Sequence, residues 1–173
     1  MKNYLGLLAI ALCIVFTSCN KDDDSNIITE PTSEELINGD WLIDHLSYET
    51  EVDIPFLGLI PFNGDAENAG SYQVDSEAYT YVGDVDFMTE PMNIGGFDFP
   101  SVPVKILSEG TWSFNDDETE LHLTSTEGVI QVYEVENLAE GFVLLRGAIT
   151  YPFEFPGFEP MNLQVQLDLQ MGR

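Results

Sequence analysis

Apolar and polar residues alternate most cleanly near the C-terminus. Leu163, Val165, Leu167, Leu169 and Met171 are separated by Gln164, Gln166, Asp168 and Gln170, with Asn162 before them. A period of two puts the apolar side chains on one face of a strand and the polar ones on the other. One dry face and one wet face is the mark of an antiparallel sheet, because strands of a parallel sheet are buried on both sides. Runs rich in β-branched and aromatic residues predict further strands over residues 40–50, 72–82, 102–107, 111–114, 120–125, 129–136 and 142–150. Asn115-Asp116-Asp117, Glu127-Gly128 and Glu140-Gly141 stand between the later runs as hairpin-length turns. Ahead of the strands, residues 33–37 read as one helical turn, with Ser33 as N-cap and Asn38-Gly39 as its stop. Nothing after residue 38 reads as a long helix, and no internal repeat is visible. Roughly eight short antiparallel strands with tight turns imply a sandwich or a closed barrel.

The first residues follow a different pattern. Met1-Lys2 leads into an apolar run from Tyr4 to Phe16, followed by Thr17-Ser18-Cys19. A positive start, a short apolar middle and small residues before a cut are the layout of a secretory signal peptide. The run is shorter than the roughly 20 residues that a membrane-spanning helix needs. A cysteine directly after Phe16-Thr17-Ser18 resembles the lipobox of bacterial lipoproteins. That resemblance implies a cut before Cys19 and acylation of its thiol, which makes Cys19 the lipid-bearing mature N-terminus. The alternative is an ordinary secretory cut that leaves Cys19 a plain thiol. Three parts are therefore expected: a signal over residues 1–18, an acidic flexible tether over 19–35 and one domain over 36–173. Lys21-Asp22-Asp23 resembles the surface-export signal of lipoproteins in the Bacteroidetes group, implying display on the outer face of the outer membrane. The alternative is a solvated spacer.

Charge narrows the partners. Five basic residues stand against 31 acidic ones, for a formal charge of −26, and loss of Lys2 with the signal makes the mature chain one unit more negative. Such a surface repels nucleic acid and anionic membrane, both of which are bound through clustered Lys and Arg. It keeps a secreted protein soluble, or else it attracts cations. Of the two cysteines, Cys13 lies in the signal and Cys19 is assigned to lipid, so no disulfide is expected in the mature protein. The fold must stand on its apolar core, for which the chain carries 11 Phe, 7 Tyr and 2 Trp.

Gly39-Asp40-Trp41, at the start of the first predicted strand, resembles the Gly-x-Trp signature of the lipocalins. Gly110-Thr111-Trp112-Ser113-Phe114-Asn115-Asp116-Asp117 follows, then Leu121-His122-Leu123, Tyr133-Glu134-Val135-Glu136-Asn137-Leu138 and Val143-Leu144-Leu145. Their order is similar to that of the lipocalin-like domains on Bacteroidetes lipoproteins, over residues 36–170. The resemblance implies an all-β, up-and-down antiparallel β-barrel of the lipocalin-like (calycin) kind, with about eight strands, a plugged base and an open mouth. It also implies that Trp41 closes the base against a basic residue, for which Arg146 is the better candidate. The chain departs from the pattern in lacking disulfides and in its long Pro/Phe/Gly-rich connections. The resemblance implies a fold far more than a ligand.

Those connections supply the candidate site. Ile54–Phe62, Met88–Pro103 and Tyr151–Met161 are apolar and punctuated by proline, whereas surface loops are ordinarily polar. If they ring the mouth of a barrel, Phe56, Leu59, Phe97, Phe99, Phe153 and Phe155 are the residues that would meet a small apolar ligand. An envelope protein is the other partner such loops could dock. The alternative is that the segments plug the barrel or extend its strands. No cofactor or metal is expected. Asp84/Asp86 and Asp116/Asp117 lack the Asp-x-Asp-x-Asp-Gly layout of a calcium loop, and His45 and His122 are too few for zinc. No Gly-x-Ser-x-Gly nucleophile elbow and no phosphate loop is present, so a non-enzymatic role is expected.

Overall fold

The alternation read along the chain closes on itself. The computed structural model describes residues 30–54, 58–94, 96–153 and 160–173. The expected signal, Cys19 and most of the expected tether lie outside the described residues, as do Phe56 and Phe155. A short helix α1 (Ser33–Ile37) precedes eleven strands: β1 (Gly39–Ile54), β2 (Gly58–Glu67), β3 (Gly70–Asp75), β4 (Thr80–Met88), β5 (Met92–Ile94), β6 (Phe97–Phe99), β7 (Pro103–Phe114), β8 (Glu120–Ser125), β9 (Ile130–Ala139), β10 (Phe142–Phe153) and β11 (Met161–Gly172). The main sheet runs β11-β10-β9-β8-β7-β4-β3-β1-β2 and is closed by pairing of β11 with β1. Both β2 and β3 lie antiparallel to β1 along the same edge, Ile54 opposite Gly58 at one end and Gly39 opposite Val74 at the other. They act as one long strand interrupted at Asn68 and Ala69, whose N–H groups donate to the carbonyls of Asp44 and Ile43. The result is an eight-stranded, antiparallel, up-and-down barrel of lipocalin-like architecture, with the β5–β6 hairpin in the connection from β4 to β7.

The core is the barrel interior. Ile43, Leu46, Val143, Leu145, Leu167, Leu169 and Met171 are buried there, and the alternating polar residues of β11 face out. Apolar side chains inside and charged ones outside is the reverse of a membrane-spanning barrel. A register shift between Ile43 and His45 marks a bulge in β1. One extra residue there lets Asp44 and His45 both face out, so Trp41 and Ile43 before it, and Leu46, Tyr48, Thr50 and Val52 after it, all face in.

Helix α1 caps the end where Trp41 lies. Its N-cap is Thr32, not the expected Ser33: Thr32 Oγ1 accepts from Glu35 N at 3.2 Å, and Glu35 Oε2 accepts from Thr32 N at 2.9 Å. Ser33 is free to donate instead to Glu118 at 2.6 Å, and Tyr79 donates to Glu34 at 3.1 Å, tying the helix to two turns of the barrel. Trp41 is fully buried and its indole N–H donates to the Ile37 carbonyl at 2.7 Å. The guanidinium over its ring, 4.5 Å from the centroid, belongs to Arg173. Arg146, expected in that role, faces out from the middle of β10, where it pairs with Asp168 at 2.7 Å and with Glu136. Arg173 also donates to the Asn38 carbonyl and lies across Gly39, whose φ of +130° suits glycine. Both halves of Gly-x-Trp therefore serve the base of the barrel.

Three further expectations change. Residues 72–82 form two strands, because Asp75 Oδ1 accepts from the N–H groups of Glu77 and Ala78 and turns the chain into the β3–β4 hairpin. Residues 102–107 and 111–114 are one strand, β7. Gly110 does not break it; a Cβ there would stand 2.0 Å from the Thr124 carbonyl, so glycine is what lets β8 approach. The segment Ile54–Phe62 is mostly strand, where its described residues end β1 and begin β2.

Candidate functional site

At the end opposite α1, the barrel wall encloses an apolar cavity. Thr50 and Val52 of β1, Phe62 of β2, Phe87 of β4, Val104 and Ile106 of β7, Ile149, Tyr151 and Phe153 of β10, and Leu163 and Val165 of β11 line it, with Tyr48, Thr89 and Leu167. Each points inward because it falls on the inner phase of its strand. Three of the lining hydroxyls are turned into the wall. Thr50 Oγ1 donates to the Gln164 carbonyl at 2.8 Å, Thr89 Oγ1 accepts from Val102 N at 2.9 Å, and the Tyr48 hydroxyl accepts from Glu90 N at 2.9 Å. The cavity surface is therefore wholly apolar. It measures about 50 Å³ as room for the centre of a water molecule, where one water needs roughly 10–15 Å³. An apolar cavity of this kind stays dry. Its room would suit a slender hydrocarbon end better than a fused ring.

The six residues expected to meet a ligand fall in different places. Phe153 lines the cavity. Leu59 stands at the same end but is 65% exposed, on the rim and not in the lumen. Phe97 and Phe99 form β6, opposite Ile94 and Met92. Phe56 and Phe155 lie outside the described residues. Thr89 N donates to the Val102 carbonyl at 2.9 Å, so the base of the β5–β6 segment is pinned beside two cavity-lining strands. Met88, 54% exposed, adds a second apolar side chain to the rim.

Sequence reasoning missed most of the lining, including Tyr48, Thr50, Phe62, Phe87, Val104 and Val165. It also missed a second interior group, Tyr72, Tyr81 and Tyr133. Burial pushes the Tyr72 phenol up to about 12 and raises that of Tyr133 well above its ordinary value, and the two hydroxyls hydrogen-bond each other. Tyr81 is raised by burial and bonds Ser108. Gly83 and Gly147 make room for the rings of Tyr72 and Tyr133, since a Cβ at either would meet them at 2.6 and 2.5 Å. Glycines opposite inward tyrosines were the available signal.

The outer face carries the histidines. His45 Nδ1 lies 2.9 Å from Glu67 Oε1, and its Nε2 lies 3.2 Å from Ser47 Oγ. The spacing has the outline of a Ser-His-acid set. Ser47, however, donates its proton to Asp65 at 2.7 Å. Its oxygen is then left to accept from the imidazole, the opposite of activation by a general base. His122 contacts Glu120 at 3.1 Å. Among the described residues no group of three or more His, Cys, Asp or Glu is placed to hold a metal. Beside Ser47 runs an open, polar groove of about 680 Å³, lined by Glu49, Asp65, Glu90 and Asp168 with Arg146 as its base. No protein-family model, no curated protein and no solved structure matches this chain.

Proposed function

We propose that this chain is a lipid-anchored, lipocalin-like lipoprotein of the outer membrane, displayed at the cell surface, whose barrel holds a small apolar ligand without transforming it. The observation that carries the reading is the wholly apolar cavity at one end of the lumen, beside an exposed apolar rim. A barrel that served only as a scaffold would gain by filling that space, since packing density and stability rise together. Instead the hydroxyls of Tyr48, Thr50 and Thr89 are tied back into the wall, leaving a surface that rewards hydrocarbon. The small volume restricts the guest to a chain end unless the rim moves.

Binding of a neutral, slender fluorescent probe without a fused ring, 1,6-diphenylhexatriene, tests this. The folded domain should enhance its emission, and Val165→Phe, which fills the cavity, should abolish the enhancement while near-ultraviolet circular dichroism stays native. A folded variant that binds the probe unchanged would refute the lumen as the site. The second reading, a non-catalytic module docking another envelope protein, is favoured by Leu59 and Met88, which are exposed on the rim where a partner could cover them. The anchor has its own test. Cys19→Ala should leave the chain unprocessed or release it from membranes, and normal detergent-phase partitioning of that variant would remove the lipid from the reading.

A further inference from the structure

We propose that the guest is a hydrocarbon chain longer than the cavity, which leaves the lumen sideways through a slot between β7 and β10 and lies along an apolar strip on the outer face. The proposal rests on the lumen being a ligand site and adds the length of the guest and the path it takes. The slot follows from unequal strand lengths. Pairing of β7 with β8 stops at Gly110 opposite Ser125, yet β7 reaches on to Pro103. Pairing of β9 with β10 stops at Tyr133 opposite Gly147, yet β10 runs on past Pro152. Above the β8–β9 turn, residues 103–108 and 148–152 therefore border a gap with no described strand between them. The edges are built to stay apart. Thr126 N donates to the Glu109 carbonyl, so the odd-numbered residues of β7 turn their backbone groups toward the gap. Pro103 shares that phase and has no N–H to offer there, and Pro152 stands in the unpaired stretch of β10. Proline on a free edge discourages the addition of a strand.

The exposure of inward residues places an opening on this side. Val104, Ile106 and Ser108 point inward from β7, with Val104 nearest the mouth. An opening at the mouth alone would expose Val104 most. Instead Val104 is buried, while Ile106 and Ser108, deeper in, are only half-buried. Gln131, inward on β9 at the foot of the slot, is half-buried too, and Tyr133 below it is buried. On the unbroken wall, the inward residues of β11 from Leu163 to Met171 are all buried. Slot and cavity are continuous, since Val104 and Ile106 line the cavity from one edge and Ile149 and Tyr151 from the other. Outside, Leu107, Val129, Ile130 and Val132 stand exposed around the slot. Exposed apolar side chains gathered beside an opening are a surface that hydrocarbon covers with gain. The cavity, at about 50 Å³, holds a chain end only. The rest of a chain that leaves through the slot meets these residues.

Displacement of 1,6-diphenylhexatriene by hexanol, octanol, decanol and dodecanol, each below its solubility, tests the inference. Affinity should rise about two- to fourfold per added methylene through the whole series. Leu107→Ser, Ile130→Ser and Val132→Ser together should bind hexanol as the wild type does and dodecanol roughly tenfold more weakly. Ile130→Ser alone, with a loss of about threefold for dodecanol, is the substitute if the triple variant does not fold. Leu59→Ser with Met88→Ser, at the mouth, should leave all four affinities unchanged. Val165→Phe should abolish binding of every alcohol. Equal affinities of wild type and triple variant for dodecanol, or a loss of the same size at every chain length, would overturn the inference and leave the apolar site standing. So would a loss of dodecanol affinity in the Leu59 and Met88 variant alone, since the chain would then leave through the mouth. Dodecanol binding that survives in the filled lumen would overturn it too, because the outer strip would then act by itself. Failure of the alcohols and of diphenylhexatriene alike to bind would overturn the lumen reading, and this inference with it.

Discussion

Removing the Arg173 side chain isolates what closes the base of the barrel. Arg173→Ala takes away a guanidinium 4.5 Å from the Trp41 centroid and its donation to the Asn38 carbonyl. The guanidinium is exposed, so the stack belongs at the lower end of its range, about 0.5–1 kcal/mol. The hydrogen bond adds a comparable ~0.5–1 kcal/mol. A total loss of about 1–2 kcal/mol is expected. Trp41 is fully buried and hydrogen-bonded, so Trp41→Ala should cost about 3–5 kcal/mol. The two losses must not add, because the stack disappears with either partner. In a double-mutant cycle the coupling should be about 0.5–1 kcal/mol, the share of the stack alone. Urea unfolding followed by far-ultraviolet circular dichroism gives all four corners. Arg146→Ala is the control, since its exposed ion pairs lie on the outer wall and should contribute less than Arg173. An Arg173→Ala loss below about 0.3 kcal/mol, or a larger loss at Arg146, would refute this account of the closed end.

Two further expectations follow from the interior. Because burial raises Tyr72 to about 12 and lifts Tyr133 as well, the native barrel keeps protons that the unfolded chain releases near pH 10. Stability should therefore be complete below pH 10 and decline as pH climbs from 10 toward 12. Phenolate absorbance of these two should rise only together with loss of near-ultraviolet dichroism, and their smooth ionisation in a folded barrel would contradict the burial argument. Gly110→Ala should force β7 and β8 apart, since its Cβ would stand 2.0 Å from the Thr124 carbonyl. A stability loss of about 1–3 kcal/mol in urea is expected, and a midpoint equal to wild type would show that the strands are not so close.

The parts of the fold that were legible are those where one local rule acts without interruption. Residues 162–171 alternate through a whole strand, and the Glu127-Gly128 and Glu140-Gly141 turns lie where the β8–β9 and β9–β10 hairpins reverse. Where two rules compete, the reading went astray. Gly110 looks like a breaker to any local view, and only the approach of β8, more than ten residues away in sequence, shows it to be a packing requirement. Residues 72–82 look continuous because Tyr72, Val74, Val82 and the aromatic residues between them all favour strand, yet Asp75 accepts two backbone N–H groups and reverses the chain. The β1 bulge did leave a trace, since inward residues change from odd to even numbers between Ile43 and Leu46. The candidate site lies at the difficult end of this scale. Ile54–Phe62 and Tyr151–Met161 read as greasy loops because proline and glycine interrupt them, and their described residues are strand ends that carry Phe62 and Phe153 inward. Residues such as Val104 and Val165 gave no signal as lining because they look like any core residue. What makes them lining is a missing neighbour, and space left unfilled between eight strands is a property of the closed barrel that no stretch of sequence holds by itself.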